Sequence, residues 1–245
     1  YETVLSDEQL DKWIALIDAA PLTAVDTETT SLEPMTAQMV GISLSVAEHA
    51  ACYIPLAHDY AGAPEQLTRE RVLAKLRPWL EDANKPKLGQ NLKYDSHIFA
   101  NHGVILRGIA HDTLLESYVF ESHKKHDMDS LALRHLNYTT IPFEDVCGKG
   151  AKQITFNQVE VEQAAKYAAE DADVTLRLHN AMWGNVAGDD KLTFIYEKIE
   201  MPTAVVLQKI ERNGVLIDDE LLNIQSAELA VKILELEKKA YELAE

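Results

Sequence analysis

The chain has 245 residues, of which 47% are hydrophobic, and its formal net charge is −17. This length and composition exclude a disordered polypeptide and suit one domain with a substantial core, or one domain and part of another. The sequence contains no apolar run long enough to cross a bilayer, so we expect no membrane segment. The negative charge argues against non-specific duplex binding, which needs phosphate neutralisation by Lys and Arg. Either the protein does not contact nucleic acid, or it holds a short piece through metal ions.

The N-terminal third predicts a helix followed by three consecutive strands. Ser6 is a suitable N-cap, with Gln9 three residues later, for an amphipathic helix that ends before Pro21. Segments rich in Val, Ile and Leu then predict strands at 22–28, 39–46 and 51–56.

The rest of the chain predicts mostly helices. One short strand is expected at 85–90, and helices are expected at 68–80, 91–103, 111–120, 128–136 and 159–183, the last closed by Gly184 and the NVAGDD that follows it at 185–190. The stretch 137–158 is irregular, and long loops in compact domains are often functional. Two more helical segments, at 191–212 and 219–244, follow a domain boundary near residue 188. Three consecutive strands and then helix–strand–helix predict an α/β fold, with a mixed sheet flanked by helices and followed by an all-helical segment.

The stretch DTET places two carboxylates, Asp26 and Glu28, two residues apart at the end of a predicted strand. Side chains alternate faces along a strand, so these two point the same way. Like charges held together repel each other unless a proton or a metal cation lies between them.

Two later segments place further acidic residues on helix faces. Asn91 and Asp95 are four residues apart just after a predicted strand, and Tyr167 and Asp171 have the same spacing on the late helix. If these residues converge with the strand pair, four carboxylates share one site. Oxygen ligands without His or Cys favour hard ions, Mg²⁺ or Mn²⁺. Two such ions, about 3.5–4 Å apart, stabilise the attacking and leaving oxygens of a displacement at phosphorus.

The segments DTET, NLKYD and YAAED resemble, in this order, the three motifs of the four-carboxylate (DEDD) 3′–5′ exonucleases. The tyrosine at position 167 is typical of their tyrosine subclass. The surrounding GQNLKYD, GKGAKQITFNQ and KYAAEDADVTL are similar to the proofreading domain of the bacterial DNA polymerase I family. The resemblance covers nearly the whole chain and implies a ribonuclease H-like fold, with an exonuclease domain at 1–188 and the helical start of a truncated polymerase domain at 189–245. Because the chain begins with Tyr1 rather than Met, we expect it to be part of a longer protein.

The resemblance also implies catalytic roles for five residues. Asp26, Glu28 and Asp171 would ligate one divalent ion, Asp26 would bridge to a second, and Asp95 would act through waters of that second ion. Tyr167 would position the water that attacks the terminal phosphodiester. The reaction would release 5′-mononucleotides from a 3′ end.

Four further residues match substrate-binding positions of the family. Leu32 and Phe143 would pack against the terminal base and sugar, and Gln90 and Asn91 are polar positions near the site. Apolar stacking tolerates every base, and only a single-stranded or frayed DNA 3′ end would reach it. The loop at 122–130 differs from its relatives and carries Lys125 where they often have Arg, which weakens any expectation about its substrate contacts.

Two alternative functions stay open. One is an RNA-trimming exonuclease of the ribonuclease D kind, which shares the three motifs, although the polymerase-like segment at 198–218 argues against it. The other is a catalytically silent module that braces a polymerase, although all five catalytic residues are present. The resemblance implies a monomer, a polymerase domain of the same parent chain as its partner, and a location in the bacterial cytoplasm at the nucleoid.

The histidines and cysteines carry no metal-binding motif. The nine histidines show no HExxH or paired spacing, and we expect His123, His126 and His135 to be surface or structural residues, with substrate contact as the alternative for His126. Cys52 and Cys147 lack metal-type spacing and are expected to be core thiols.

Overall fold

Six strands form one mixed sheet within residues 1–244, the part of the chain that this computed structural model describes. The strands are β1 (Glu2–Thr3), β2 (Thr23–Thr29), β3 (Met39–Ala47), β4 (Ala50–Pro55), β5 (Lys87–Gly89) and β6 (Ile109–Asp112). Their order across the sheet is β1-β4-β3-β2-β5-β6. Strand β3 runs antiparallel to β2 and β4, whereas the other pairs are parallel. The predicted mixed sheet is confirmed.

The helices account for most of the remaining residues. They are α1 (Asp7–Ala19), α2 (Arg69–Leu80), α3 (Leu92–Asn101), α4 (Thr113–Glu121), α5 (Met128–Leu131), α6 (Phe143–Cys147), α7 (Val161–Ala187), α8 (Asp190–Ile195), α9 (Met201–Asn213) and α10 (Asp219–Ala244). Two π-helical turns, Ala132–Leu136 and Tyr196–Glu200, extend α5 and join α8 to α9. Short 3₁₀ turns occur at Gly150–Lys152 and Phe156–Gln158. In residues 1–244, no helix combines the length and apolar character that a membrane crossing needs.

The central strands bury both of their faces, because helices pack on each side of the sheet. Along β4, Cys52 and Ile54 join a core cluster with residues of α1, α2 and α3. Ala51 and Tyr53, on the opposite face, join a second cluster with alanines of α7. Alternation along a strand therefore divides its side chains between two helical layers, which explains the nearly continuous apolar sequence of β3 and β4.

Local signals place most of the elements correctly, with a correction at residues 111 and 112. Ser6 and Gln9 form the predicted capping box of α1. His111 and Asp112 lie in β6 rather than in a helix, because Asp112 caps α4 by accepting a hydrogen bond from the Leu114 N–H at 3.0 Å. Helix α7 runs through Gly184 and ends at Ala187, inside the closing segment predicted at 184–190. One glycine costs a helix only about 1 kcal/mol relative to alanine, and the burial of Val186 offsets that cost.

The strand β1 was not predicted from the sequence. It has two residues, Glu2 and Thr3, and pairs in parallel with β4 at the edge of the sheet. So short a segment carries no periodicity of its own, and its conformation depends on the neighbouring strand.

Two compact units share the chain: Tyr1–Arg212 and Asn213–Glu245. The predicted boundary near 188 coincides with the end of α7, but Tyr196 beyond it is buried and accepts a hydrogen bond from the Asp112 N–H at 2.9 Å. The second unit consists mainly of α10, in which the apolar residues Leu229, Ile233 and Leu236 are exposed. Residue 245, the last of the predicted segment 189–245, lies outside the described residues. The assignment of that segment to a polymerase domain stays a prediction.

Candidate active site

Strand β2 places Asp26 and Glu28 at one end of the sheet. Asp26 lies opposite Ser43 of β3, whose hydroxyl donates to the Asp26 Oδ2 atom at 3.4 Å. Glu28 lies opposite Gly41, and the register of the pair shifts immediately after it. A Cβ atom at Gly41 would come within 2.2 Å of the Tyr53 hydroxyl. Glycine at this position therefore allows Tyr53 to pack over β3, the strand that pairs with the one carrying the two acids.

Helix α3 brings Asp95 to the same place through the residue between the two acids. The backbone N–H and the hydroxyl of Thr27 both donate to Asp95 Oδ1, at 2.9 and 2.6 Å. Asp95 is buried, so these two hydrogen bonds fix it against β2. The spacing suggested that Asn91 would share a helix face with Asp95. Instead, Asn91 is the N-cap residue of α3, in the left-handed conformation with φ 63°.

Helix α7 contributes Tyr167 and Asp171, one turn apart. The ring of Tyr167 lies 6.2 Å from that of Phe143 and 5.9 Å from that of Phe156, measured between centroids. These contacts restrict the ring, so its hydroxyl is held beside the carboxylates. Asp171 is buried behind it.

All nine predicted site residues line a single cleft of about 920 Å³: Asp26, Glu28, Leu32, Gln90, Asn91, Asp95, Phe143, Tyr167 and Asp171. Two of them are apolar and exposed at its rim, since Leu32 is 93% exposed and Phe143 41%. Exposed apolar side chains at the mouth of a polar cleft are suited to contact an apolar part of a ligand.

Gln90 and Asn91, the two polar residues expected near the substrate, differ in whether their side-chain amides have hydrogen-bond partners in the protein. The Gln90 amide donates to the His126 carbonyl oxygen at 2.9 Å and accepts a hydrogen bond from the Thr113 hydroxyl. Both ends of this amide therefore have protein partners, whereas the Asn91 side chain makes no capping hydrogen bond. Lys125, from the loop at 122–130, does not appear among the described residues that line the cleft.

Several lining residues were missed by the sequence analysis. Thr27 anchors Asp95, and Tyr94 donates to the Ser31 carbonyl oxygen at 2.6 Å, which ties α3 to the loop after β2. Gly150 and Gln153 of the irregular stretch also line the cleft. The signal for Thr27 was its position between the two acids. The signal for Gly150 and Gln153 was the length of the irregular stretch, which was expected to be functional.

Each of the four carboxylates in the cleft makes the ionised form of the others less favourable. Burial raises the pKa of Asp26 to about 6. Burial, followed by the charges of Asp26, Asp171 and Asp95, raises the pKa of Glu28 well above its usual range. The pKa values of Asp95 and Asp171 are also raised, first by burial and then by the charge of Asp26.

No basic side chain compensates for this charge inside the cleft. Within the described part of the chain, none of the residues lining the cleft is Lys, Arg or His. The donors are carboxylate, hydroxyl and amide oxygens, which is the set that Mg²⁺ and Mn²⁺ prefer. The residues present therefore fit divalent cations of this kind.

Residues 1–187 match the family model described as 3′–5′ exonuclease. The chain belongs to the 3′–5′ exonuclease family. Across its full length it is 53% identical to DNA polymerase I of Pseudomonas aeruginosa, and it spans 27% of that relative. The predicted resemblance to the exonuclease domain of DNA polymerase I is confirmed.

Solved structures show the same exonuclease fold. The POL domain of Pol1 from M. smegmatis, in complex with DNA primer-template and dNTP, aligns with a TM-score of 0.76 and 22% identity over 98% of this chain and 37% of its own. Escherichia coli RNase D aligns with a TM-score of 0.57 and 20% identity over 88% and 51%. Brucella melitensis NrnC, solved with bound Mg²⁺, aligns with a TM-score of 0.52 and 20% identity over 82% and 90%. These likenesses confirm the predicted ribonuclease H-like fold.

Proposed function

We propose that this exonuclease domain hydrolyses the terminal phosphodiester of single-stranded or frayed DNA 3′ ends and releases 5′-mononucleotides. The observation that carries the proposal is the convergence of four carboxylates in a cleft that no basic side chain of residues 1–244 lines. Two divalent ions, Mg²⁺ or Mn²⁺, would supply charge neutralisation, activation of water and stabilisation of the leaving oxygen.

Four residues of the chain would hold these ions. Asp26, Glu28 and Asp171 are the proposed ligands of one ion, with Asp26 shared by the second, and Asp95 would act through waters. The hydrogen bonds from Thr27 to one Asp95 oxygen fix the orientation of that carboxylate. This support from neighbouring residues orients a metal ligand before the ion arrives.

Tyr167 is proposed to orient the attacking water. Burial, and then the charge of Asp171, raises the pKa of the Tyr167 hydroxyl, so it keeps its proton at neutral pH. A protonated hydroxyl can donate a hydrogen bond to the water, but it cannot accept the proton that the water loses. Tyr167 therefore acts by positioning.

The rim residues Leu32 and Phe143 are proposed to pack against the last base and sugar. Both are exposed and apolar and line the cleft. Contacts of this kind carry little sequence information, which suits removal of any misincorporated nucleotide. An unpaired terminus costs less to place in the cleft than a paired one, so mismatched ends would be removed faster.

The net charge of −17 is consistent with a short bound segment of DNA. We infer that this domain alone binds DNA weakly, and that a polymerase domain of the same parent chain supplies the basic DNA-binding surface. We propose that the protein is a monomer located in the bacterial cytoplasm at the nucleoid; the bacterial origin of the matched relative supports the bacterial part of this proposal.

The test is hydrolysis of a single-stranded DNA oligonucleotide labelled at its 3′-terminal nucleotide. With Mg²⁺ the label should appear as a 5′-mononucleotide, and a chelator should stop its release. A duplex with a mismatched 3′ end should lose its label faster than a fully matched duplex. Release that resists the chelator would refute the metal requirement.

A matched RNA oligonucleotide tests the alternative of an RNA-trimming enzyme. RNase D shares the fold with this chain at only 20% identity, whereas the DNA polymerase I relative is 53% identical. We therefore expect faster hydrolysis of DNA. A faster reaction with RNA would replace DNA with RNA as the substrate, and no hydrolysis of either would favour the silent structural module.

A further inference from the structure

His111, Glu116 and His179 form a cluster outside the cleft, which we call the histidine cluster. His111 lies in β6, Glu116 on α4 and His179 on α7. The Nδ1 atoms of the two histidines lie 3.1 and 2.8 Å from the same Oε1 atom of Glu116. One potential ligand atom from each residue lies within 4.8 Å of the other two.

These separations are close to those of a metal site. Two ligand atoms that each lie about 2.0–2.1 Å from a tetrahedral Zn²⁺ are about 3.3 Å apart. Two imidazoles and one carboxylate are also a common protein ligand set for zinc, with water in the fourth position. Only small movements of side chains already in place would be required.

One atom of the cluster lacks a partner. Glu116 is fully buried, and its Oε2 atom makes no hydrogen bond within the described residues. The two histidines satisfy Oε1 alone, so hydrogen bonding within the cluster does not account for the second oxygen. A buried carboxylate oxygen without a partner is costly, and a cation at the cluster would remove that cost.

Aromatic residues hold the two imidazoles in position. The His111 ring lies 4.1 Å from the His179 ring and 4.5 Å from the Trp183 ring, between centroids. The rings of His179 and Trp183 are stacked at 5.9 Å. The His111 side chain is 19% exposed, whereas Glu116 is fully enclosed, so His111 provides the route by which an ion could enter.

We propose that the histidine cluster binds one borderline transition-metal ion of the Zn²⁺ class, which ties β6 and α4 to α7. Nitrogen ligands favour such ions over Mg²⁺, and excess Mg²⁺ competes for the oxygen ligands of the cleft. His179 lies eight residues after Asp171, which is about 12 Å along α7, so an ion at the cluster does not contact the cleft. The role of this ion is structural.

The experiment is equilibrium dialysis of the whole chain against Zn²⁺ in excess Mg²⁺, with elemental analysis of the bound metal. The variant His111→Phe removes one ligand and keeps a ring against Trp183. The matched control is His135→Phe, because His135 is also half-buried and its Nε2 atom lies 3.2 Å from Glu121. The wild type and the control should bind one zinc per chain, and His111→Phe should bind it at least tenfold more weakly.

A second measurement uses stability and does not depend on nuclease activity. At a hundredfold excess over Kd, Zn²⁺ should raise the midpoint of thermal unfolding of the wild type by about 5–10 °C, and that of His111→Phe by much less. Asp26→Ala should retain its zinc, so failure of the proposed nuclease site would leave this result unchanged. Equal zinc binding by wild type and His111→Phe, or no binding by the wild type at micromolar Zn²⁺, would overturn the proposal.

Discussion

The cleft and the histidine cluster both include residues of α7, but the buried carboxylates of the two sites have different neighbours. In the cleft, Asp26, Glu28, Asp95 and Asp171 face one another, and no basic residue of the described chain lines it. In the cluster, two imidazoles face the one carboxylate of Glu116, and the Nδ1 atom of each lies within hydrogen-bonding distance of its Oε1 atom. The proposed function of the cleft therefore requires ions from solution, whereas in the cluster the imidazoles already lie against the carboxylate. The same helix can carry both because its successive turns face different neighbours.

The largest expected effect is loss of hydrolysis on removing Asp26. Asp26→Ala should lower the rate with Mg²⁺ by at least about 1000-fold, because this carboxylate is the proposed shared ligand. The measurement is mononucleotide release from labelled single-stranded DNA, alongside circular dichroism to confirm folding.

Two controls sharpen the comparison. Glu33→Gln removes an acid near the cleft that does not line it, and His111→Phe alters the histidine cluster alone. Both should hydrolyse DNA at close to the wild-type rate. An unchanged rate in Asp26→Ala, or a large loss in His111→Phe, would contradict the separation of the two sites.

A smaller effect is expected at Tyr167. Tyr167→Phe keeps the ring packing against Phe143 and Phe156 and removes only the hydroxyl that we propose orients the water. The rate should fall by about 10–1000-fold, while its dependence on Mg²⁺ concentration should stay the same. A shifted Mg²⁺ dependence would mean that the hydroxyl contributes to ion binding.

Removing a carboxylate charge from the cleft should lower the rate of hydrolysis but raise the stability of the metal-free protein. In a chelator, Glu28→Gln should raise the free energy of unfolding by about 1 kcal/mol, because it removes one charge from a set whose burial and repulsion raise the pKa of Glu28. Urea unfolding measures this change. Glu33→Gln is the matched control and should change little; a clear destabilisation by Glu28→Gln would show that the carboxylates do not oppose folding.

The smallest expected effect is a pH dependence of the metal-free protein. The pKa of Asp26 is about 6 in the folded chain, above its ordinary value of 3.8, so the folded state holds this proton more tightly than the unfolded state does. The stability due to protonation is full below about pH 4 and is lost as the pH rises through 6. Asp26→Asn should flatten this decline in urea unfolding, whereas Asp11→Asn, a change at an exposed acid, should not. A stability that rises over this range would contradict the assignment.

Local patterns predicted most of the fold and of the cleft. Alternation along β2 placed Asp26 and Glu28 together, and the four-residue spacing on α7 placed Tyr167 one turn from Asp171. Each of these relations involves residues within a few positions of each other, where backbone geometry alone sets the side-chain direction. The sequence analysis missed β1 and assigned His111 to a helix, because β pairing depends on a strand from another part of the chain and leaves no local pattern.

The sequence by itself determined which side chains could serve as hard-metal ligands, and the order of the elements that carry them. The tertiary structure alone decided that Asp95 is anchored by Thr27, 68 positions away, and that His179 meets Glu116, 63 positions away. Neither contact has a periodic signal, because both depend on how the sheet order and α7 bring distant segments together. The histidine cluster was therefore invisible in the spacing of the histidines and became apparent only in the folded chain.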